Sequence, residues 1–292
     1  MTIYKKSPTW PFIPVAGYTP RAHQAALAAP RRAVTAAVGV KIQIPQFPLE
    51  VVLRGVEVAP PCVLAEDGES HVLCANAAAA GLGVRSGVPL KAVTALSPDI
   101  HVLRRDLTAE QQVCAHLAQW FHAAGYDAQF GAHAGLEIWL NCGTTPAIEA
   151  LQAQLRRDFR ALGLRAYLAE SIPLVTALPA SQFVRMAPSA SRADANFSSR
   201  LSLPWPTRRP RELYTAVGRL LADLRVISDA RQASVRWVQW TFQHSNGICD
   251  HHLLELANLP RTTERLNLWV RERLHRLPLA SPLCRLEIKA GF

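Results

Sequence analysis

The chain has 292 residues, 49% of them apolar, and it carries 32 Lys and Arg against 22 Asp and Glu, a formal net charge of +10. This length exceeds what one hydrophobic core usually fills, so two domains are expected. No long uncharged apolar run, signal-like leader or CxxC pair occurs, which excludes membrane-spanning and secreted, disulfide-stapled proteins and favours the cytoplasm.

The basic charge is unevenly distributed along the chain. The formal charge is +5 for residues 1–40, −2 for residues 41–195 and +7 for residues 196–292. A basic C-terminal third beside a near-neutral middle is typical of a protein in which one domain meets a polyanion such as nucleic acid. A merely solvated basic surface is the alternative.

Regular structure is expected to begin near Val38, after a proline-rich arm over residues 1–36 that is predicted to be mostly disordered. The strand-like strings are VGVKIQI, the two apolar runs of CVLAEDGESHVLCAN around Asp67-Gly68, DAQFGA, GLEIWLN and RAYLAE. The predicted helices run from a Thr108 cap to Gly125 and from Thr145-Pro146 to Gly163. Residues 37–185 are therefore predicted to form a mixed α and β domain.

A second domain is predicted over residues 197–292, after a polar linker at residues 186–196. Its elements are the strand RLSLP, a helix over 210–226, the strand SVRWVQWTFQH, an Asn246-Gly247 turn, the strand DHHLLELAN, a helix over 263–276 and the strand LCRLEIKA. The order β-α-β-β-α-β typically gives a four-stranded sheet with both helices on one side. The expected fold class is α+β.

The open face of this second sheet is the predicted nucleic-acid surface. Strand alternation turns Val238, Trp240 and Phe242 toward the helices and their polar neighbours outward. The residues predicted to contact DNA are Arg208, Arg209, Arg236, Gln239, Gln243, Arg285 and Lys289. Such side chains bind phosphates without reading the sequence, and their affinity falls steeply with salt. An ordinary solvated sheet face is the alternative.

Several strings resemble the Y-family DNA polymerases, and most closely their bacterial ImuB-type, UmuC-like relatives. They are IQIPQFPLEVVLR, CANAAAAGLGVRSGVPLKAVTALSPDIHVLRRD, GLEIWLN, VGRLLADL and ERLHRLPLASPLCRLEI. The resemblance implies that the first domain is a palm with reduced fingers and that the second is the little finger that grips duplex DNA. It also implies a role in DNA-damage tolerance, as part of an inducible mutagenesis cassette of the SOS response.

The resemblance places the catalytic carboxylates at positions where this chain lacks them. Phosphoryl transfer by a polymerase needs clustered carboxylates that hold two metal ions about 4 Å apart. Lys41 or a neighbour stands where the family has its first aspartate, and Leu136 replaces the aspartate of the second motif, which leaves Glu137. No catalytic residue and no metal is therefore expected, and Mg²⁺ would matter only for a residual polymerase.

The nucleotide contacts of the family are also missing. By resemblance, a tyrosine and an arginine that hold the incoming triphosphate correspond to Ala77 and Ala80. Alanine favours a helix but binds no phosphate. Gly81 and Gly83 are expected to end that helix and shape a turn, since two glycines alone are weak support for a phosphate loop.

The family's thumb domain has no counterpart in the short linker between the two predicted domains. The resulting hypothesis is a non-catalytic DNA-binding accessory protein, with an error-prone replicative-type polymerase and a RecA-like or SulA-like cassette protein as partners by resemblance. The alternatives are a residual polymerase that uses Glu137 with Glu50 or Asp106, and a nonfunctional truncated remnant.

Two further strings are not predicted to be sites. RLSLPW at residues 200–205 superficially resembles a sliding-clamp-binding pentapeptide, but it lacks the leading glutamine and falls on a strand. CDHH at residues 249–252 contains metal-capable side chains, but strand alternation sends neighbours to opposite faces. Neither a clamp contact nor a zinc site is expected from them.

Overall fold

The computed structural model describes residues 38–132, 135–142, 148–169, 172–173, 183–184, 196–255, 263–276, 279 and 281–292. The predicted arm at residues 1–36 and all but the last residue of the predicted linker lie outside these ranges. The described residues form an α+β fold, as expected from the sequence. Among their helices, none combines the length and the hydrophobicity that a bilayer-spanning segment needs.

The first half of the chain builds two sheets and five helices within the described residues. The strands are β1 (Val38–Ile44), β2 (Cys62–Ala65), β3 (Cys74–Ala75), β4 (His101–Arg104), β5 (Asp127–Ala132), β6 (Leu136–Asn141), β7 (Tyr167–Leu168), β8 (Ile172–Pro173) and β9 (Phe183–Val184). The helices are α1 (Phe47–Leu53), α2 (Ala77–Gly81), α3 (Leu90–Leu96), α4 (Leu107–Ala123) and α5 (Ile148–Leu162). The larger sheet has the order β7-β1-β6-β5-β9, with β8 also paired to β1, and the smaller has the order β3-β2-β4.

Most predicted elements of this half are confirmed, two details are corrected, and the predicted helix start at Thr145-Pro146 lies outside the described residues. The residue that caps α4 is Asp106, whose carboxylate accepts a hydrogen bond from the Ala109 amide at 2.9 Å, and Thr108 lies inside the helix. An aspartate in that position satisfies an otherwise unpaired amide of the first turn. Among the described residues 165–169 of RAYLAE, only Tyr167 and Leu168 pair as a strand. Helix α1 and strand β4 were not predicted, because each is too short to show a clear period.

The second half has the predicted element order. Its elements are β10 (Asn196–Thr207), α6 (Pro210–Arg231), β11 (Trp237–His244), β12 (Cys249–Glu255), α7 (Thr263–Arg276) and β13 (Leu283–Gly291). The sheet order is β10-β13-β11-β12, and every neighbouring pair is antiparallel. Helix α6 continues five residues past its predicted end at residue 226, because the buried Ile227 extends its apolar stripe. It ends at Gln232, which adopts a left-handed conformation with φ of 50°.

The two halves share one continuous hydrophobic core. Helix α6 packs against α4 and α5 of the first half as well as against its own sheet. At this junction the Arg54 guanidinium donates to Asp223 at 2.6 Å and to the Leu162 carbonyl at 2.8 Å, and the Ser199 hydroxyl donates to the other Asp223 oxygen at 2.7 Å. Both ionic side chains are 4% exposed. The junction therefore contains a buried and fully engaged ion pair.

Candidate functional sites on the two large sheets

The outward face of the first sheet holds the one acidic position that the sequence retains. Val40, Ile42 and Ile44 of β1 face the core, so the alternate residue Lys41 lies on the opposite face. Across the ladder, Lys41 is paired with Trp139, and Glu137 lies two residues before that tryptophan on the same face. Strand pairing therefore brings Lys41, Glu137 and Trp139 together.

These three side chains contact one another directly. The Lys41 ammonium lies 2.7 Å from Oε1 of Glu137, and the indole N–H of Trp139 donates to the same oxygen at 2.7 Å. The ammonium also lies 5.1 Å from the centroid of the Trp139 ring, within cation–π range. Glu137 is only 6% exposed. Its carboxylate is consequently engaged by a cation of the protein itself.

No other acidic group of the described residues converges on Glu137. Leu136 precedes Glu137 on β6, so its side chain points to the opposite face of the sheet, where it is buried in the core at 4% exposure. Glu50 accepts a hydrogen bond from the Arg165 amide at 2.7 Å, and Asp106 caps α4. Within the described ranges there is no group of three or more His, Cys, Asp or Glu side chains placed to hold a metal ion.

The alanine-rich string forms the short helix α2 followed by a turn. Ala77 is exposed and Ala80 is half-buried, and neither offers a polar group. Gly81 is the last residue of the helix and Gly83 has φ of +94°, which confirms their expected roles. The amides of Gly83 and Val84 donate to the Ala80 and Ala79 carbonyls at 3.0 and 3.2 Å. These amides close the helix end, so the turn is not a phosphate cradle.

The outward face of the second sheet is a regular grid of mostly polar side chains. Its cross-strand rows are Ser198–Lys289–Gln239–Leu253, Arg200–Glu287–Thr241–His251 and Ser202–Arg285–Gln243–Cys249. Arg285 and Lys289 are exposed, whereas Gln239 and Gln243 are half-buried. These four residues, all predicted to contact DNA, therefore share one face.

The other three predicted DNA contacts lie off this grid. Arg208 and Arg209 are exposed residues between β10 and α6, and Arg209 pairs with Glu212 of the same helix at 3.2 Å. Arg236 is exposed just before β11, and its amide donates to the Gly291 carbonyl at 2.7 Å. Arg208 and Arg209 thus lie near the Arg285 end of the grid, and Arg236 lies near the Lys289 end.

Two residues of the open face were not predicted. Arg200 is exposed on β10 opposite Glu287, and the alternating pattern of RLSLP would have placed it outward. Trp237 is half-buried on the same face of β11 as Gln239. Its pyrrole ring lies directly over Gly291, where the Cβ atom of any other residue would clash with it. The face therefore combines basic groups with one aromatic surface.

RLSLPW and CDHH, the two strings that were not predicted to be sites, lie on strands β10 and β12. In RLSLPW, Leu201 and Leu203 are 5% and 8% exposed and form part of the core. In CDHH, Asp250 lies 2.8 Å from His244 and His251 lies 3.0 Å from Thr241, so the two side chains have separate partners. Neither string presents its side chains as one linear motif.

The contacts of His244 predict that the stability of the chain depends on pH. Burial and the nearby Arg208 charge both oppose protonation of this histidine. Hydrogen bonds at 2.8 Å to the Asp250 carboxylate and to the Ser281 carbonyl favour the protonated form more strongly, so the pKa of His244 is raised. Histidine in an unfolded chain titrates near pH 6.5. The stabilisation is therefore complete below about pH 6.5 and is lost as the pH rises through the higher folded-state pKa.

As the pH rises from about 6.5 through the folded-state pKa of His244, we expect the free energy of unfolding to fall by less than about 1 kcal/mol, because Asp250 is partly exposed to solvent. Urea titrations at a series of pH values measure the slope of the free energy of unfolding against pH. Asp250→Asn should flatten it, and a slope unchanged in that variant would show that the pair is not responsible.

Comparisons with known proteins give one sequence match within the first half of the chain and structure alignments over most of it. A sequence model of the IMS family, described as impB/mucB/samB, matches residues 46–154. No curated protein matches the chain significantly. Among solved structures, a Dbh ternary complex aligns at 10% identity with a TM-score of 0.37, and DinB from Sulfolobus solfataricus aligns at 10% identity with 0.36.

Both alignments cover 87% of this chain and 98% of the matched chain. The sequence match runs from the residue before α1 to the middle of α5 and includes the alanine-rich string and Glu137. Residues 46–154 are therefore similar to the impB/mucB/samB family.

Proposed function

We propose that this chain is a Y-family-like, ImuB-type DNA-binding accessory protein without polymerase activity, and that it acts in the cytoplasm in SOS-induced DNA-damage tolerance. The match of residues 46–154 to the impB/mucB/samB family supports the family relationship. Loss of the thumb is part of the proposal. The partners are DNA and, by resemblance, an error-prone replicative-type polymerase and a RecA-like or SulA-like protein.

The observation that carries the inactive assignment is the ion pair between Lys41 and Glu137. A polymerase needs its carboxylates free to neutralise two divalent cations. Here the Lys41 ammonium already lies 2.7 Å from the Glu137 carboxylate. A metal ion approaching this carboxylate would have to displace the lysine and overcome its positive charge. The residues present do not fit a two-metal centre, so no step through such a centre is proposed.

The open face of the second sheet is the proposed DNA surface. Arg285 and Lys289 stand two rows apart on one strand, and Arg200 lies on the neighbouring strand. Glu287 lies between them, but it is held by Lys289 and by Ser198, each at 3.4 Å. Exposed cations on a flat sheet suit phosphate contacts, which depend on charge and not on base sequence.

Replacing Arg285 and Lys289 together with alanine tests this surface. We expect the plot of log affinity against log salt concentration to become shallower by about 1.8, since each phosphate contact to duplex DNA contributes about 0.9 to the slope. Fluorescence anisotropy with a labelled duplex between low and moderate salt measures it. The matched control is Arg156→Ala with Arg276→Ala, which removes the same charge from exposed helix positions.

Three outcomes would contradict the proposal. An equal change of slope in both double variants would mean that net charge acts, and not this face. Template-directed primer extension with Mg²⁺ or Mn²⁺ that disappears in Glu137→Gln would establish the residual polymerase instead. A nonfunctional remnant predicts no cooperative thermal unfolding and no DNA binding by the unaltered chain.

A further inference from the structure

A cleft separates the edge strand β10 from the N-terminal half of helix α4. It encloses about 290 Å³ and is lined by α1, β4, α4 and β10. Apolar side chains that include the buried Val51, Val113 and Leu201 form part of its wall. Strand β10 contributes residues 200–204 to the lining. Two residues before this stretch, the Ser198 carbonyl is hydrogen-bonded to the His116 ring of α4 at 2.9 Å, and directly after it the rings of Trp205 and His101 lie 5.3 Å apart.

Strand β10 presents unused backbone groups to this cleft. It is an edge strand of the second sheet, so only one of its sides pairs with β13. The Ser198 carbonyl points to α4, and backbone groups of alternate residues point the same way, which turns those of Arg200 and Ser202 toward the cleft. Within the described ranges, no hydrogen bond is seen for these groups of Arg200 and Ser202. An exposed strand edge of this kind accepts a further extended segment.

The charge of the cleft favours an acidic occupant. Arg104 and Arg200 line it and are exposed, while the charge of Arg54 at its inner wall is compensated by Asp223. The lining contains one acid, Asp106, which caps α4 and keeps its negative charge, so the three lining arginines exceed Asp106 and Asp223 together by one charge. Arg104 lies 4.0 Å from Asp67, and Arg200 forms no ion pair with any residue of the described ranges. The cleft thus combines apolar walls, free backbone groups and excess positive charge.

We propose that this cleft binds a short extended segment of a partner protein, in which acidic and apolar side chains alternate. The segment adds a strand to β10 by pairing with the backbone of Arg200 and Ser202. Its apolar side chains face the valine and leucine wall, and its carboxylates face Arg104 and Arg200. The stretch from Arg200 to Pro204 spans about 13 Å, the length of roughly four extended residues. This site shares Arg200 with the proposed DNA surface but differs from it in using the backbone edge of β10 and not the open face of the sheet.

The experiment selects a displayed random octapeptide library on the intact chain. We expect enriched sequences in which acidic and apolar residues alternate. A representative peptide, labelled and measured by anisotropy, should lose at least about tenfold in affinity for Arg200→Glu, because like charges then face each other. Ser202→Pro should also weaken binding, since it removes one outward amide, and proline is tolerated at such a position of an edge strand.

Arg211→Glu, an equal charge reversal at an exposed position of α6, is the matched control and should bind like the unaltered chain. Thermal unfolding of each variant separates lost binding from lost folding, and Arg200→Glu carries the test where Ser202→Pro does not fold. A library without enrichment, or a peptide that binds both cleft variants as tightly as the control, would overturn the proposal. Displacement of the peptide by oligothymidylate that persists in the variant Arg285→Ala with Lys289→Ala would also overturn it and assign the cleft to nucleic acid.

Discussion

Replacing Asp223 with alanine is expected to lower the free energy of unfolding by about 3–5 kcal/mol. The change leaves the Arg54 guanidinium, only 4% exposed, without its ionic partner, and it removes the acceptor of the Ser199 hydroxyl. An uncompensated charge at such a site costs far more than the pair itself contributes. Because the pair joins α6 to the first half, we expect the whole chain to unfold at lower urea in one transition. Urea unfolding followed by tryptophan fluorescence measures the change.

Two further variants make this expectation specific. Glu212→Ala breaks the exposed pair with Arg209 and should change stability by no more than about 1 kcal/mol. Arg54→Met combined with Asp223→Leu removes both charges and should recover most of the loss, because apolar side chains can replace a buried pair. A loss below 1 kcal/mol for Asp223→Ala would show that water reaches Arg54 and that the halves do not share a sealed core.

The fold was predictable wherever a period was long enough to be seen. Strand β11 alternates over eight residues, and its buried set of Val238, Trp240 and Phe242 was assigned correctly from the sequence. Helix α1 has only seven residues and a nearly continuous apolar run, so neither a helical nor a strand period stands out. Strand β7 pairs with β1 over only two residues. The length of this pairing depends on β1, which is distant in the sequence, so the string RAYLAE alone does not indicate it.

The candidate sites were predictable in their composition but not in their contacts. The family resemblance assigned Lys41 or a neighbour, and Glu137, to catalytic positions of the family, but their ion pair follows from the register between β1 and β6. Trp139 lies two residues from Glu137 on the same strand, so strand alternation alone predicts that the two side chains share a face. The junction of Arg54 with Asp223 joins residues 169 positions apart, and no local pattern encodes such a pairing.

Replacing Trp240 with alanine is expected to lower the free energy of unfolding by about 3–5 kcal/mol. This side chain is 1% exposed, and its ring lies 6.1 Å from that of Phe242 on the helix-facing side of the sheet. Its removal leaves a cavity under α6 and α7. Within the described part of the chain its indole N–H has no hydrogen-bond partner. Trp240→Phe should therefore cost much less, because it removes an unsatisfied donor while keeping an aromatic ring.

Trp237 on the same strand provides the matched control, and the comparison tests which face of the sheet is open. It lies three residues from Trp240, so strand alternation puts the two indoles on opposite faces. Trp237→Ala should cost less than about 1.5 kcal/mol, since the ring lies over Gly291 at the solvent face and leaves no enclosed cavity. Chemical unfolding of both variants gives the two values side by side. If Trp237 proved the costlier loss, the faces would be exchanged, and Arg285 and Lys289 would be turned away from any DNA.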